Sequence, residues 1–314
     1  FGYKLLPLIV KLYPKFKNID FYSSLLKRAM ITIKLITYGF SKSNVKSVFH
    51  GDAETDYQGR SWNTPPSDLR PLDEDDQAKM KCFLPKKRVH TFTGHTKGVR
   101  KIDLIPRFGH LLLSGSFDSK CKIWDVKKRR CMRTCMGHSQ GVNDVQFSND
   151  GDCFLSSSLD RHIKLWDTET GKCRIDLTNH KIPYCVKFYP ENNNLVIAGC
   201  SNKKIVQYDC RTGDIVQEYN HHLAPVNTIT FVDRNRKFVS TSDDKKILVW
   251  EMNVPVPIKY ITDPTMHSIP AVTERPGGKS AFRPAWWGES PQQARRKGHV
   301  SLPWRAFCGR KRLS

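Results

Sequence analysis

Four short endings recur at one spacing in this chain: Ile123-Trp124-Asp125, Leu165-Trp166-Asp167, Gln207-Tyr208-Asp209 and Val249-Trp250-Glu251 bring an aromatic residue every 42 residues. A second series runs ahead of the first. Gly94-His95, Gly137-His138, Asn179-His180 and His221-His222 place a histidine at intervals of 43, 42 and 42. Two marks in one register define a tandem repeat. A unit of this length cannot bury its apolar face alone, so the fold must be an array in which neighbours cover one another. Between the marks, short apolar alternations are separated by turn residues. Val142, Val145 and Phe147 read as one strand, Phe154 to Ser158 as the next and Ile163 to Asp167 as a third. Each repeat is predicted to be a small antiparallel sheet.

On these marks residues 90 to 252 resemble the WD-repeat family, which implies an all-β WD40 β-propeller with four strands per blade. The chain supplies four blades and the start of a fifth, where Met266-His267 takes the Gly-His slot 45 residues after His222. The resemblance implies seven blades in a closed ring. An open series leaves the outer faces of its first and last blades uncovered.

Within each repeat a histidine, a serine, an aspartate and a tryptophan recur at fixed offsets: His95, Ser114, Asp118 and Trp124; His138, Ser156, Asp160 and Trp166; His222, Ser240, Asp244 and Trp250. Ser, His and Asp are also the parts of a hydrolytic triad. Repetition argues against that use, because a nucleophile needs one activated serine in a cleft. The family resemblance implies instead a structural hydrogen-bond tetrad in each blade, running from indole through hydroxyl and imidazole to carboxylate. The third repeat keeps His180 but has Ala198, Asn202 and Tyr208 at the other positions, and is expected to be the softest. No catalytic, cofactor or metal residue is nominated. Cys131 and Cys135 have no second pair or histidine cluster at zinc spacing, and no phosphate loop occurs.

The two residues after each turn aspartate are Ser119 and Lys120, Arg161 and His162, Lys203 and Lys204 (after Asn202), and Lys245 and Lys246. Seven of these eight are basic or histidine. If the blades stack as in the family, they form a candidate partner-binding ring suited to phosphates or acidic protein segments.

The net charge of +22 is concentrated at the ends, with +8 in residues 1 to 50 and +9 in residues 275 to 314, leaving +5 between them. Residues 1–52 and 274–314 lack the repeat and are expected to be irregular or disordered basic segments foreign to the family, and residues 53–89 a linker into repeats at 90–273. The abrupt end of the period predicts a truncated form whose ends come from frame-shifted or aberrantly spliced translation, the alternative being a shortened isoform. The chain begins with Phe1, so no targeting signal is read. Apolar stretches such as Ala29 to Phe40 are broken by lysine well short of the roughly 20 residues that span a bilayer. Ten cysteines scattered singly fit a reducing compartment.

Several strings between the generic marks resemble one branch of the family, the WD-repeat splicing factors of the second catalytic step. They include Asp56 to Arg60, Leu84 to Lys87, Leu165 to Gly171, Pro183 to Phe188, Val226 to Ile229, Phe238 to Lys245 and Met266 to Val272. That resemblance covers about residues 53 to 279. It implies a nuclear, non-enzymatic scaffold subunit of the spliceosome acting at exon ligation. The partners implied are spliceosomal proteins and snRNA or pre-mRNA, with no membrane and no small-molecule substrate, and the chain monomeric within a large complex. A WD40 adaptor of another assembly, such as a ubiquitin ligase substrate receptor, is the alternative.

Overall fold

The structure is a computed structural model that describes residues 45–55, 58–66, 69, 86–233, 235–262, 268–269, 272–273 and 283–284. The fifth Gly-His slot at Met266-His267, nearly all of the expected tail and residues 1–44 lie outside the described residues. Every described element is a strand. The first sheet contains β1 (Lys46–Phe49), β2 (Val99–Leu104), β3 (Leu111–Ser116), β4 (Lys120–Asp125) and β5 (Arg130–Met136), in the order β1-β5-β4-β3-β2. The second runs β6 (Val142–Phe147), β7 (Cys153–Ser158), β8 (His162–Asp167) and β9 (Cys173–Thr178). In the third, β10 (Pro183–Tyr189), β11 (Asn192–Cys200), β12 (Ile205–Asp209) and β13 (Ile215–Tyr219) follow the same meander. The fourth is β14 (Val226–Val232), β15 (Lys237–Ser242), β16 (Lys246–Glu251) and β17 (Lys259–Thr262). A two-stranded pair, β18 (Val272–Thr273) and β19 (Arg283–Pro284), stands where a fifth sheet would open. These are four WD-type blades in an open series.

Neighbouring blades meet through one recurring contact. Val142, Val145 and Phe147 of β6 are buried against Leu113, Cys121 and Ile123 of the first blade. The same arrangement joins the second blade to the third through Val186 and Phe188, and the third to the fourth through Val226 and Ile229. Glycine permits the close approach, since a Cβ on Gly115 would come within 2.8 Å of Cγ1 of both Val142 and Val145, and one on Gly199 within 2.8 Å of Val226 Cγ1. Hydrogen bonds along the seams fix the register. The Phe147 amide donates to Asp103 Oδ2 (2.8 Å), the Val186 amide to Asp144 Oδ2 (3.0 Å) and the Phe188 amide to Gln146 Oε1 (2.7 Å).

The first blade lacks a preceding neighbour among the described residues. Val99, Ile102 and Leu104 occupy the positions of Val142, Val145 and Phe147, yet they are 48%, 58% and 52% exposed where their counterparts are at most 1% exposed. An identical apolar pattern is thus buried or wet according to whether a sheet lies on it.

The expectation that residues 1–52 lack structure fails for Lys46–Phe49, which pair antiparallel with β5 as a fifth strand. The outer edge of a blade carries unpaired N–H and C=O groups, and any adjacent extended segment can take them. This edge is further secured by Arg133. Its guanidinium carbon lies 5.1 Å from the Phe49 ring centroid and 5.7 Å from that of Trp62. The same side chain donates to Thr170 O (3.0 Å) in the second blade and pairs with Glu54 (3.1 Å). Trp62 Nε1 donates to Glu169 O at 3.4 Å, so β1 and Trp62 together bridge the outer edges of two blades.

Ile229 and Ile102 hold equivalent positions with opposite burial. Ile229→Ala should destabilise the chain by about 2 to 5 kcal/mol, in the range for truncating a fully packed isoleucine, and Ile102→Ala by under about 1 kcal/mol. Equal losses in chemical denaturation would contradict the blade packing described here.

Candidate functional site

The turns that carry the basic residues are built by the recurring polar side chains. In the second blade Trp166 Nε1 donates to Ser156 Oγ (2.8 Å), Ser156 Oγ lies 2.7 Å from His138 Nε2, and His138 Nδ1 lies 2.8 Å from Asp160 Oδ2. The first blade repeats this with Trp124, Ser114, His95 and Asp118 at 2.8, 2.7 and 2.8 Å. Trp250, Ser240, His222 and Asp244 do so in the fourth at 2.8, 2.6 and 3.0 Å. An ionised carboxylate only accepts, so Nδ1 donates; in the neutral ring Nε2 then accepts from the hydroxyl. The three tetrad hydroxyls, at most 3% exposed, are thereby bonded inside their own blades.

The carboxylate also shapes the hairpin. Asp160 accepts from the amides of Ser139 (3.1 Å) and His162 (3.0 Å), and Asp118 and Asp244 accept from the equivalent amides of Thr96 and Lys120, and of Leu223 and Lys246. Burial on its own would raise the Asp160 carboxyl, but the His138 hydrogen bond and these amides outweigh it and hold the group at about 2. Asp118 and Asp244 are lowered by the same balance, with burial opposing. A second serine completes each turn. Ser116, Ser158 and Ser242 donate to the preceding loop carbonyls and accept the amide of the turn aspartate. Standing two residues beyond Ser114, Ser156 and Ser240, they follow the same period and are legible in the sequence beside the triad-like set.

The third blade is organised differently. His180 does not enter its interior; it lies exposed in a left-handed turn with φ 61°. With Ala198 in place of serine there is no hydroxyl to receive it, and Asn179 Nδ2 instead donates to Cys200 Sγ at 3.4 Å. Tyr208 fills the tryptophan position, fully buried, and among the described residues neither its hydroxyl nor Asn202 Oδ1 has a hydrogen-bond partner.

The candidate ring divides into two sets. Ser119, Arg161, Lys203 and Lys245 occupy the left-handed hairpin position, with φ of 63°, 72°, 70° and 63°, and the three cations are exposed. They form no ion pair among the described residues. The half-buried second position is partly neutralised: His162 Nδ1 lies 2.7 Å from Asp176, which also holds buried Lys164 at 2.5 Å, and Lys204 pairs with Glu218 at 2.6 Å. The Asp176 hydrogen bond raises the His162 pKa, with burial opposing. Lys120 and Lys246 sit at the equivalent strand starts and form no ion pair among the described residues. Because the inner strands β2, β6, β10 and β14 stand side by side, the equivalent hairpins lie at one end of the array. Among the described residues no group of three or more His, Cys, Asp or Glu is arranged to hold a metal ion. No helix among them is long and apolar enough to cross a membrane.

Depressed carboxylates stabilise the fold above their unfolded pKa and lose that contribution as pH falls through the folded value. Melting temperature should therefore drop as pH falls from about 4 towards 2, and Asp160→Asn should flatten that fall. In the interior, Ser156→Ala strands the Trp166 and His138 groups and should cost about 1 to 3 kcal/mol. Tyr208→Phe removes a hydroxyl without a partner and should change stability by less than about 0.5 kcal/mol or raise it. A larger loss for Tyr208→Phe than for Ser156→Ala in urea titrations would reverse this account.

The model of the WD domain, G-beta repeat, matches residues 86–125, 129–167 and 213–251. Those segments take in the blades with a complete tetrad and pass over the interior of the third. Pre-mRNA-processing factor 17 from Homo sapiens is 54% identical over 110 residues, which is 35% of this chain and 19% of the relative. The protein of the same name from Saccharomyces cerevisiae is 39% identical over 109 residues, 34% of this chain and 24% of the relative. Nuclear distribution protein PAC1 from Arthroderma otae is 40% identical over 72 residues, 21% of this chain and 16% of the relative. The chain thus spans about a fifth of the length of these two processing-factor relatives. It carries WD repeats, and over about a third of its length it is similar to pre-mRNA-processing factor 17.

Proposed function

We propose that this chain is a WD-repeat scaffold of the pre-mRNA splicing machinery, working in the nucleus at the second catalytic step, exon ligation. The observation that carries this reading is the 54% identity to human pre-mRNA-processing factor 17. The side-chain chemistry agrees with a scaffold. The hydroxyls that could have been nucleophiles are bonded into repeated blade interiors, and the exposed Arg161, Lys203 and Lys245 at the hairpin end are suited to docking. Its partners are spliceosomal proteins together with snRNA or pre-mRNA, and it acts by holding surfaces together rather than by turnover. Arg161, Lys203 and Lys245 are assigned as the docking cations, with Lys120 and Lys246 beside them and His162 and Lys204 held back by their acidic partners.

The test is affinity purification of the tagged full chain from splicing extract at physiological salt. Co-purifying snRNAs, with enrichment of the cleaved first exon and lariat intermediate that precede exon ligation, are expected. Arg161→Glu/Lys203→Glu/Lys245→Glu should reduce their recovery severalfold. Recovery of ubiquitin-ligase subunits without snRNA would replace this reading with that of an adaptor in another assembly.

A further inference from the structure

The two ends of the blades differ in charge. At the hairpin end of blades two to four, Arg161, Lys181, Lys203 and Lys245 are exposed; of the exposed acids near them, Asp243 accepts from Asn227 (2.7 Å) and Ser268, and Asp176 and Glu218 are held by His162 and Lys164 and by Lys204. At the opposite end of the same strands the acids Asp150, Asp152, Glu169, Glu191 and Asp214 are exposed alongside the cations Lys172, Arg174, Arg211 and Arg236. The hairpin end thus offers an anionic ligand cations without an acidic partner among the described residues, and the opposite end a surface of mixed sign.

Next to the cations lies a partly exposed aromatic ring. Phe117 opens the first blade's hairpin, directly before Asp118, and is 39% exposed. The exposed Arg100 guanidinium lies 5.8 Å from its centroid. Its other neighbours hold it in place: the Phe117 amide donates to Gly98 O at 3.0 Å, and a Cβ on Gly141, in the second blade's approach loop, would come within 2.7 Å of the ring. Phe117 is therefore wedged between two blades at the head of a series that continues blade by blade through Arg161, Lys203 and Lys245.

We propose that this end binds single-stranded RNA, a base stacking on the Phe117 and Arg100 pair and the phosphates meeting Arg161, Lys203 and Lys245. An aromatic platform beside a cationic track is the combination by which proteins hold single strands without reading sequence. An acidic peptide would use the cations but gain little from the ring. Packed sheets stand about 10 Å apart, and stacked nucleotides advance about 3.4 Å, so one cation per blade meets the strand about every third nucleotide. This deepens, and rests on, the docking role given above to the same three cations.

The experiment is fluorescence anisotropy of a labelled oligouridine of about 15 nucleotides, titrated with the full chain at several salt concentrations. Any RNA binding by the basic ends is common to parent and variants, so differences between them isolate this surface. Arg161→Glu/Lys203→Glu/Lys245→Glu should weaken binding at least tenfold and shallow the slope of log K against log salt by about 2, three contacts at about 0.7 each. Phe117→Ala should weaken binding about fivefold or more and leave the slope unchanged, with Lys172→Glu/Arg236→Glu at the opposite end binding as the parent does. Matched melting temperatures confirm that each variant is folded. The proposal is overturned if Phe117→Ala binds as the parent does, or if the triple variant does. Polyglutamate of the same length competing as well as unlabelled oligouridine would likewise overturn it and assign the surface to acidic protein. Should snRNA co-purification persist while these variants bind oligouridine normally, only this inference fails; loss of co-purification with RNA binding intact sinks the splicing assignment alone.

Discussion

An apolar sheet face leaves water only when another sheet lies on it, and in this chain that single requirement organises the rest. Val142 and Val145 against Gly115, and Val226 against Gly199, show how closely the sheets must approach. Such packing stabilises by roughly 25 cal/mol for each Å² of apolar surface removed from water, and no blade obtains it alone. Val99, Ile102 and Leu104 show the same residues without that neighbour. The stability of any one blade is consequently set by the blade before it as much as by its own residues.

Given that layered packing, each blade must also end its strands without leaving polar groups stranded between sheets. The chain from tryptophan to serine, histidine and aspartate does this for three blades, and its last member closes the hairpin that presents Arg161 or Lys245 to solvent. Structural and interaction roles are thus serial along one set of bonds: the buried indole at one end, the exposed cation at the other. In the third blade Lys203 reaches the same left-handed position without that support. The main-chain bond from the Cys200 amide to Lys204 O, at 3.0 Å, helps to hold that turn.

The 42-residue period made the blades legible in advance, because repetition multiplies a weak local signal. Strands expected at Val142 to Phe147, Phe154 to Ser158 and Ile163 to Asp167 lie at β6, β7 and β8. Three features were not legible. β1 has no counterpart in the other blades, so no period could mark it, and its pairing depends on an edge defined only in three dimensions. His180 keeps its place in the sequence but not in the fold, since a histidine turns inward only where a hydroxyl and a carboxylate await it. The ring of basic residues looked uniform, whereas Asp176 and Glu218, 14 residues away on the outer strands, remove His162 and Lys204 from the free set. Cross-strand partners of that kind follow from register, which a composition of cations does not reveal.

The Arg133 contact has a consequence for the order of assembly. Its side chain is 4% exposed, and the guanidinium touches Phe49 and Trp62 on one side and the carbonyl of Thr170 on the other. During synthesis Phe49 and Trp62 emerge about a hundred residues before Thr170, at a rate of roughly 5 to 20 residues per second. For several seconds, then, the early segment has no finished seat. Its complete set of bonds exists only once the second blade has closed its final hairpin, which makes the segment a late fastening on two formed blades rather than a template for the first.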